Sequence, residues 1–198
     1  MSRARGDTII EVMLAFAIFA ALAVSVTTIM NSSIAATQRS LDTTLVRQQI
    51  DSQADLLRYA RDNQLPEWDT IKAEDNLFSG DRSVLTGAFT TCPDHTAITG
   101  SAGSKAFFVS YNNTGAITRN PITSLSNFVP APVYSRVNLG SITPRAEGLW
   151  VLAVHAQGSS GSPAVPVKAY DMYIRTCWNS PGQTMPMTIT TIVRLYDY

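Results

Sequence analysis

One carboxylate, Glu11, lies inside an otherwise uncharged apolar stretch near the start of the chain. Residues 8–30 contain no Lys, Arg, Gly or Pro, and Glu11 is their one acidic residue. A charged side chain at the centre of a bilayer costs about 2.5 to 3.5 kcal/mol on insertion scales, so an ionisable residue in such a segment marks a functional position that needs a partner. Glu11 is therefore the first candidate site residue.

The apolar stretch is long enough to cross a membrane. At about 1.5 Å of rise per residue, a helix over residues 8–30 covers the roughly 30 Å of a bilayer's hydrocarbon core. Arg3 and Arg5 precede it, and the next basic residue is Arg39. By the positive-inside rule, this asymmetry predicts a single-pass segment with a cytoplasmic N-terminus and the remainder of the chain outside.

Gly6 and the string DTIIEVMLAFAIFA that follows it carry a family resemblance. This part of the chain, about the first 30 of 198 residues, resembles the class III leader and N-terminal helix of type IV pilins and pseudopilins. The resemblance implies cleavage by a prepilin peptidase between Gly6 and Asp7 and methylation of the new N-terminus at Asp7. It also implies that Glu11 pairs with the N-terminal amine of a neighbouring subunit, which offsets the cost of burying both charges in a filament core.

Two positions depart from the common family pattern. Asp7 stands where the family usually has Phe or Met, and Thr28 stands where many major pilins have a helix-bending proline. The string around Glu11 is closer to those of minor pilins and minor pseudopilins. The resemblance therefore implies a minor subunit of a type IV pilus or related filament, or a pseudopilin of a type II secretion or competence system.

The resemblance also implies partners and a location. The partners are other pilin subunits, the prepilin peptidase, an inner-membrane assembly platform through which an ATPase acts, and membrane lipid before assembly. The subunit would be a single-pass membrane protein first and part of an extracellular, cell-surface filament after assembly. No cofactor is implied.

Glycine and proline divide the chain into two parts. Residues 7–65 contain neither, whereas all ten prolines and ten of the eleven glycines lie at Pro66 or beyond. This predicts a leader peptide (1–6), a transmembrane and filament-core helix (7–30), an amphipathic helical stem (31–65) and an extracytoplasmic β-rich head (66–198). In the stem, apolar residues recur at helical spacing and predict a face that packs on a sheet: Val46, Ile50, Ala54 and Leu57, preceded by Ile34, Leu41 and Leu45.

The head has the alternation and turn residues of β-strands. Residues 106–111 and 116–119 predict a hairpin around the turn 112–115, because Asn and Gly tolerate positive φ. Further strands are predicted at 149–157, 165–177 and 187–196. Residues 79–102 and 120–144 are predicted to be long connecting loops over the surface with short irregular elements. The fold class is therefore α+β and type IV pilin-like, with a long N-terminal helix packed on a C-terminal antiparallel sheet of four or five strands.

Two cysteines and two histidines could carry other chemistry. Cys92 and Cys177 lie in the part placed outside the membrane, where a disulfide persists, so one bridge between them is the simple prediction. The alternative is a zinc site formed by these thiolates with His95 and His155. Many pilins carry one disulfide near the C-terminus, so the resemblance agrees with the bridge.

Other function classes have less support from the sequence. There is no G-x-S-x-G, H-E-x-x-H, Walker A or G-x-G-x-x-G motif, so we expect that the chain is not an enzyme. Removing Arg3 and Arg5 takes the formal charge from 0 to −2 without leaving a basic run, so a nucleic-acid partner is unsupported.

Three alternatives or open points remain at this level. The helix could be a secretory signal cut before Ala36, or a plain anchor for a binding or adhesion module whose loops hold a ligand. Aromatic residues crowd the last third of the chain and are expected mainly in the core, although exposed ones would mark subunit contacts or an adhesive face: Trp150, Trp178, Tyr170, Tyr173, Tyr196 and Tyr198.

Overall fold

The structure is a computed structural model that describes residues 7–81, 83–102, 105–112, 114–140, 143–156 and 168–197. The chain divides into two compact units, Met1–Leu41 and Asp42–Tyr198. Helix α1 (Asp7–Asp62) forms the described part of the first unit and continues into the second. The second unit also contains the remaining helices and all the strands that the described residues form.

Helix α1 ends three residues before the end predicted for the stem. It stops at Asp62 because Gln64 adopts a φ of 48°, and the N–H of Leu65 then bonds back to the Ala60 carbonyl at 3.0 Å. Pro66 is the first residue of α2 (Pro66–Lys72), a position where its missing N–H costs nothing.

The second unit is built on a five-stranded antiparallel sheet in the order β2-β1-β6-β7-β8, which confirms the predicted sheet. In the predicted hairpin, Phe107 pairs with Pro121 and Tyr111 with Ile117, and Gly115 in the turn has a φ of 78°. The strands are β1 (Phe107–Tyr111), β2 (Ile117–Pro121), β6 (Leu149–His155), β7 (Lys168–Trp178) and β8 (Met187–Asp197).

The C-terminal part of α1 packs on one face of this sheet. Val46, Ile50, Ala54 and Leu57 are at most 3 % exposed, as the helical spacing predicted. They share a core with inward-facing strand residues: Phe107, Val109, Val151, Met172, Ile174 and Val193. The stripe does not extend back as predicted, since Ile34 and Leu41 are exposed and Leu45 is half-buried.

A buried glutamine joins α1 to the sheet. β1 pairs with β6 through Phe107 and Val151 alone, so the inner backbone groups of Val109 have no strand partner there. The side-chain amide of Gln53 forms the hydrogen bonds that a neighbouring strand would form. It accepts from the Val109 N–H at 2.9 Å and donates to the Val109 carbonyl at 2.8 Å. Because buried backbone groups must be paired, this contact fixes the position of α1 along β1.

The second face of the sheet is covered by the segments that were predicted to be loops. Residues 79–102 contain α3 (Ser83–Thr86) and α4 (His95–Ala102), and they bring Leu85 and Ile98 onto Trp150 and Leu152. The other segment contributes to a small sheet in the order β3-β5-β4, in which β3 and β5 are parallel. Its strands are β3 (Phe128–Val129), β4 (Arg136–Asn138) and β5 (Arg145–Glu147).

Of the six aromatic residues that are predicted to lie mainly in the core, four lie there. Trp150, Trp178, Tyr170 and Tyr173 are at most 9 % exposed, whereas Tyr196 on β8 is 41 % exposed. Tyr198 lies outside the described residues.

The small sheet contains a buried carboxylate, Glu147. It accepts hydrogen bonds from Arg136 Nε at 2.8 Å, Asn138 Nδ2 at 3.0 Å and Arg145 Nη2 at 3.2 Å. Burial alone would raise the pKa of Glu147, but these hydrogen bonds outweigh it and hold the pKa below its ordinary value of 4.5. Glu147 is therefore charged at neutral pH and links β4 to β5.

We expect Glu147→Gln to destabilise the second unit by about 1 to 2 kcal/mol at pH 7, a range set by the loss of charged hydrogen bonds to half-exposed partners. The pKa is lower in the folded state, so the stabilisation exists above about pH 4.5 and is lost as the pH falls through the folded pKa. Urea denaturation of both chains between pH 3 and 7 measures the difference. Asp51→Asn is the control, because the Asp51 side chain is exposed and forms no hydrogen bond or ion pair with any described residue. A difference that persisted unchanged at pH 3 would contradict the ionic role.

Candidate assembly surface and head cavity

The N-terminal part of α1 has an apolar surface on every side. Its large hydrophobic residues from Ile9 to Met30 are 54 to 72 % exposed. A helix that is apolar all round is found in a protein core or in a membrane. By length and composition this helix could span a membrane, with a mean hydropathy of 2.5 in its most apolar window and no part of that window buried.

Glu11 differs from the other polar residues of this surface. The hydroxyls of Ser25, Thr27 and Thr28 donate to carbonyls of their own helix at 2.8 to 2.9 Å. In a membrane such internal bonds satisfy polar groups that have no water. Glu11 is exposed and forms no hydrogen bond or ion pair with any described residue. Among the described side chains of the stretch 9–30, the Glu11 carboxylate is therefore the polar group that has no partner within the chain.

The predicted processing site is at the boundary of the described chain. Asp7 is the first residue of α1, and its side chain is not described. Gly6, the residue before the predicted cut, lies outside the described residues. Cleavage between Gly6 and Asp7 and methylation of Asp7 therefore stay predictions.

The cysteines form a disulfide. Cys92 and Cys177 are joined across a sequence separation of 85, tying the segment before α4 to the end of β7. Neither sulfur is then a thiolate, so the alternative zinc set is not formed. Instead, His155 Nε2 lies 3.1 Å from a carboxylate oxygen of Glu74. The centroid of the His155 ring is 5.4 Å from that of the Tyr170 ring. Among the described residues, no group of three or more His, Cys, Asp or Glu could hold a metal.

A cavity of about 430 Å³ opens beside this disulfide, between the sheet and the segment that covers its second face. Most of its wall is apolar, and Arg175 on β7 is the one charged group among the described residues that line it. Phe89 and Trp150 stand edge to face with their centroids 5.8 Å apart. The walls include Phe89, Ala97, Ile98, Trp150, Leu152 and Arg175.

Arg175 is a buried cation with neutral partners. Arg175 is 2 % exposed, so its large side chain is almost completely buried. It forms no ion pair with any described carboxylate. It donates to the carbonyls of Val84 and Gly87 and to the Thr190 hydroxyl. Burial lowers the pKa of Arg175 to about 10, so the guanidinium stays charged at neutral pH.

Sequence reasoning missed Arg175, although one signal was present. On an alternating strand, Asp171, Tyr173, Arg175 and Cys177 share one face, so two charged residues flank an aromatic on a strand with a cysteine at its end. Asp171 is paired with Arg194 at 2.7 Å, which accounts for one of those charges. The other charge faces the cavity.

No family model, curated protein or solved structure matches the chain. Function is therefore inferred from its residues and their geometry.

Proposed function

We propose that this chain is a structural subunit of a type IV pilus or a related pilin-like filament, in the position of a minor pilin. It is cut after Gly6 and assembled through its apolar N-terminal helix, and it has no chemistry of its own. The observation that carries the proposal is Glu11: an exposed carboxylate without a described partner on a helix that is apolar on every side.

An apolar helix alone would favour a simple anchor, and Glu11 argues against that role. A lone carboxylate opposes stable residence in lipid, by about 2.5 to 3.5 kcal/mol at the centre of a span and by less near its end, where Glu11 lies. Anchoring gains nothing from it, whereas assembly does if a cation of a neighbouring copy meets it. The free amine that cleavage before Asp7 creates is such a cation, and the pair sets the register between adjacent helices.

The second unit supports the same proposal. The amphipathic part of α1 is built into the core of an antiparallel sheet, and Gln53 bonds to β1 directly. Within this unit the amphipathic helix is therefore part of the folded head. The type IV pilin-like fold that we propose has such a helix packed on an antiparallel sheet.

The arginines set the topology of the proposed precursor. With Arg3 and Arg5 before the span, the N-terminus lies in the cytoplasm and the second unit outside. Its partners are membrane lipid, the prepilin peptidase, the assembly platform and then other pilin subunits. An external location also agrees with the disulfide, because such bonds persist in oxidising compartments.

The N-terminal peptide tests this proposal. We expect the chain from sheared extracellular material to begin at Asp7, and the chain from cells without the prepilin peptidase to begin at Met1. Mass spectrometry of the N-terminal peptide measures both and detects a methyl group on Asp7.

Gly6→Val should block the cut, because the peptidase of the resembled family needs a residue without a side chain there. Ala4→Val is the matched control, since it introduces the same side chain two residues upstream. Processing of Gly6→Val at the wild-type position would contradict the proposal. So would a wild-type chain that starts at Met1 or Ala36 in every fraction.

The alternative is a membrane-tethered binding module, which the head cavity favours. In that case the chain stays in the membrane fraction with residues 1–6 intact. A filament subunit loses them and appears in the sheared fraction, so the same experiment separates the two functions.

A further inference from the structure

We propose that the head cavity is a binding site for an apolar carboxylate, with Arg175 as the group that recognises the charge. This inference does not depend on filament assembly. It rests on the juxtaposition of a buried, unpaired guanidinium with aromatic walls around a cavity of about 430 Å³.

The uncompensated charge is the first observation. Taking a cation out of water is costly unless an anion accompanies it. The neighbours of Arg175 in the described chain are two backbone carbonyls, one hydroxyl and two aromatic rings, and none of them carries a negative charge. A ligand carboxylate would supply the missing charge.

The remaining donors are the second observation. A guanidinium has five N–H groups. Arg175 uses Nε for Thr190 and one N–H on each terminal nitrogen for Val84 and Gly87. One N–H on each of two nitrogens is left, which is the number that a carboxylate accepts from arginine in a bidentate pair.

The walls indicate the rest of the ligand. The Arg175 guanidinium carbon lies 4.6 Å from the Phe89 ring centroid and 5.6 Å from that of Trp150, so both rings hold the cation in place. Ile98 and Leu152 complete an apolar lining. A cavity of this volume is within the usual range for small-molecule sites, and its lining fits a phenyl or branched aliphatic body.

The test uses the full chain in detergent micelles and isothermal titration calorimetry. The probes are 3-phenylpropanoate, its neutral amide and acetate. We expect 3-phenylpropanoate to bind at least about tenfold more tightly than either control, because charged hydrogen bonds are stronger than neutral ones and acetate lacks the apolar body. Equal binding of the acid and the amide, or no binding of the acid, would overturn the proposal.

Variants distinguish binding of the probe in the cavity from its partition into the detergent micelle. Ala97 is exposed, lies on α4 and lines the cavity, so Ala97→Phe should fill it and abolish binding. Gly100→Phe on the same helix is the control, because a Cβ there meets nothing within 4 Å and the residue does not line the cavity. Binding that survives in Ala97→Phe would locate the ligand elsewhere and overturn the proposal.

Arg175→Met tests the charge directly. A folded Arg175→Met chain should bind the acid and the amide equally, and retained preference for the acid would contradict the role of Arg175. If this variant does not fold, the comparison of 3-phenylpropanoate with its amide and the Ala97→Phe variant still test the proposal. A peptide that ends in Phe with a free carboxylate distinguishes the source: tighter binding than 3-phenylpropanoate indicates a protein C-terminus, and weaker binding a small molecule.

Discussion

Gly148→Ala is expected to destabilise the second unit by about 3 to 5 kcal/mol, the sum of a strained backbone and an overpacked contact. Gly148 joins β5 to β6 with a φ of 66°. A Cβ there would lie 2.3 Å from the Cys177 carbonyl oxygen and 2.7 Å from the Ala131 Cβ. Both obstacles are parts of the main chain or attached directly to it, so neither can rotate away.

The hydrogen bonds of Gly148 make relaxation costly. Its N–H donates to the Val129 carbonyl and its carbonyl accepts from the Cys177 N–H, both at 2.8 Å. Moving this backbone would separate the small sheet from β7 beside the disulfide. Urea denaturation followed by tryptophan fluorescence measures the effect, because all three tryptophans, Trp68, Trp150 and Trp178, lie in the second unit.

Gly115→Ala is the matched control for Gly148→Ala. Gly115 has a φ of 78°, but a Cβ there meets nothing within 4 Å. It should therefore show the backbone strain alone, about 1 to 2 kcal/mol for a non-glycine residue in the left-handed region. Equal destabilisation by the two substitutions would contradict the close contact at Gly148.

The part of the chain that the structure describes contains the helix and the long strands that local periodicity predicted. The stripe from Val46 to Leu57 repeats at helical spacing, and the long strands alternate or are β-branched, so each pattern is complete within its own segment. The boundary at Asp62 was missed because it depends on the backbone of Gln64, whose positive φ no periodicity indicates. The start of the stripe was also wrong, because exposed Ile34 and Leu41 have the same spacing as buried residues.

The small sheet and the cavity depend on contacts between distant residues. Strands of two or three residues have no period to detect, and β3 pairs with β5 only after the chain has returned across the head. Gln53 and Arg175 bond mainly to backbone atoms far along the chain, which the sequence does not distinguish from any other backbone atoms. By contrast, Glu11 can be recognised from the sequence alone, because it is the one acidic residue of an apolar stretch.

Glu11→Gln should have two opposite effects on the proposed subunit. Glutamine keeps the shape but removes the charge, so residence in lipid becomes more favourable. In the proposed filament core, the N-terminal amine of a neighbouring copy then keeps the carboxylate of its own Asp7 but loses that of Glu11. Breaking a buried ion pair by removing one partner costs about 3 to 5 kcal/mol, so incorporation should fall by at least about tenfold even if most of that cost is relieved.

The ratio of subunit in sheared filaments to subunit in the membrane measures both effects, and the N-terminal mass confirms that processing is intact. Ser25→Ala is the matched control, because it removes a polar group of the same helix that bonds only to the Ala21 carbonyl. Glu11→Asp, with a shorter carboxylate, should give an intermediate ratio. A wild-type ratio for Glu11→Gln would contradict the pairing, and a reduced ratio for Ser25→Ala as well would mean that the apolar surface responds to any change. If Glu11→Gln alone lowers the ratio while cleavage at Asp7 continues, the carboxylate acts after processing and after membrane insertion, at the step where one helix meets the next.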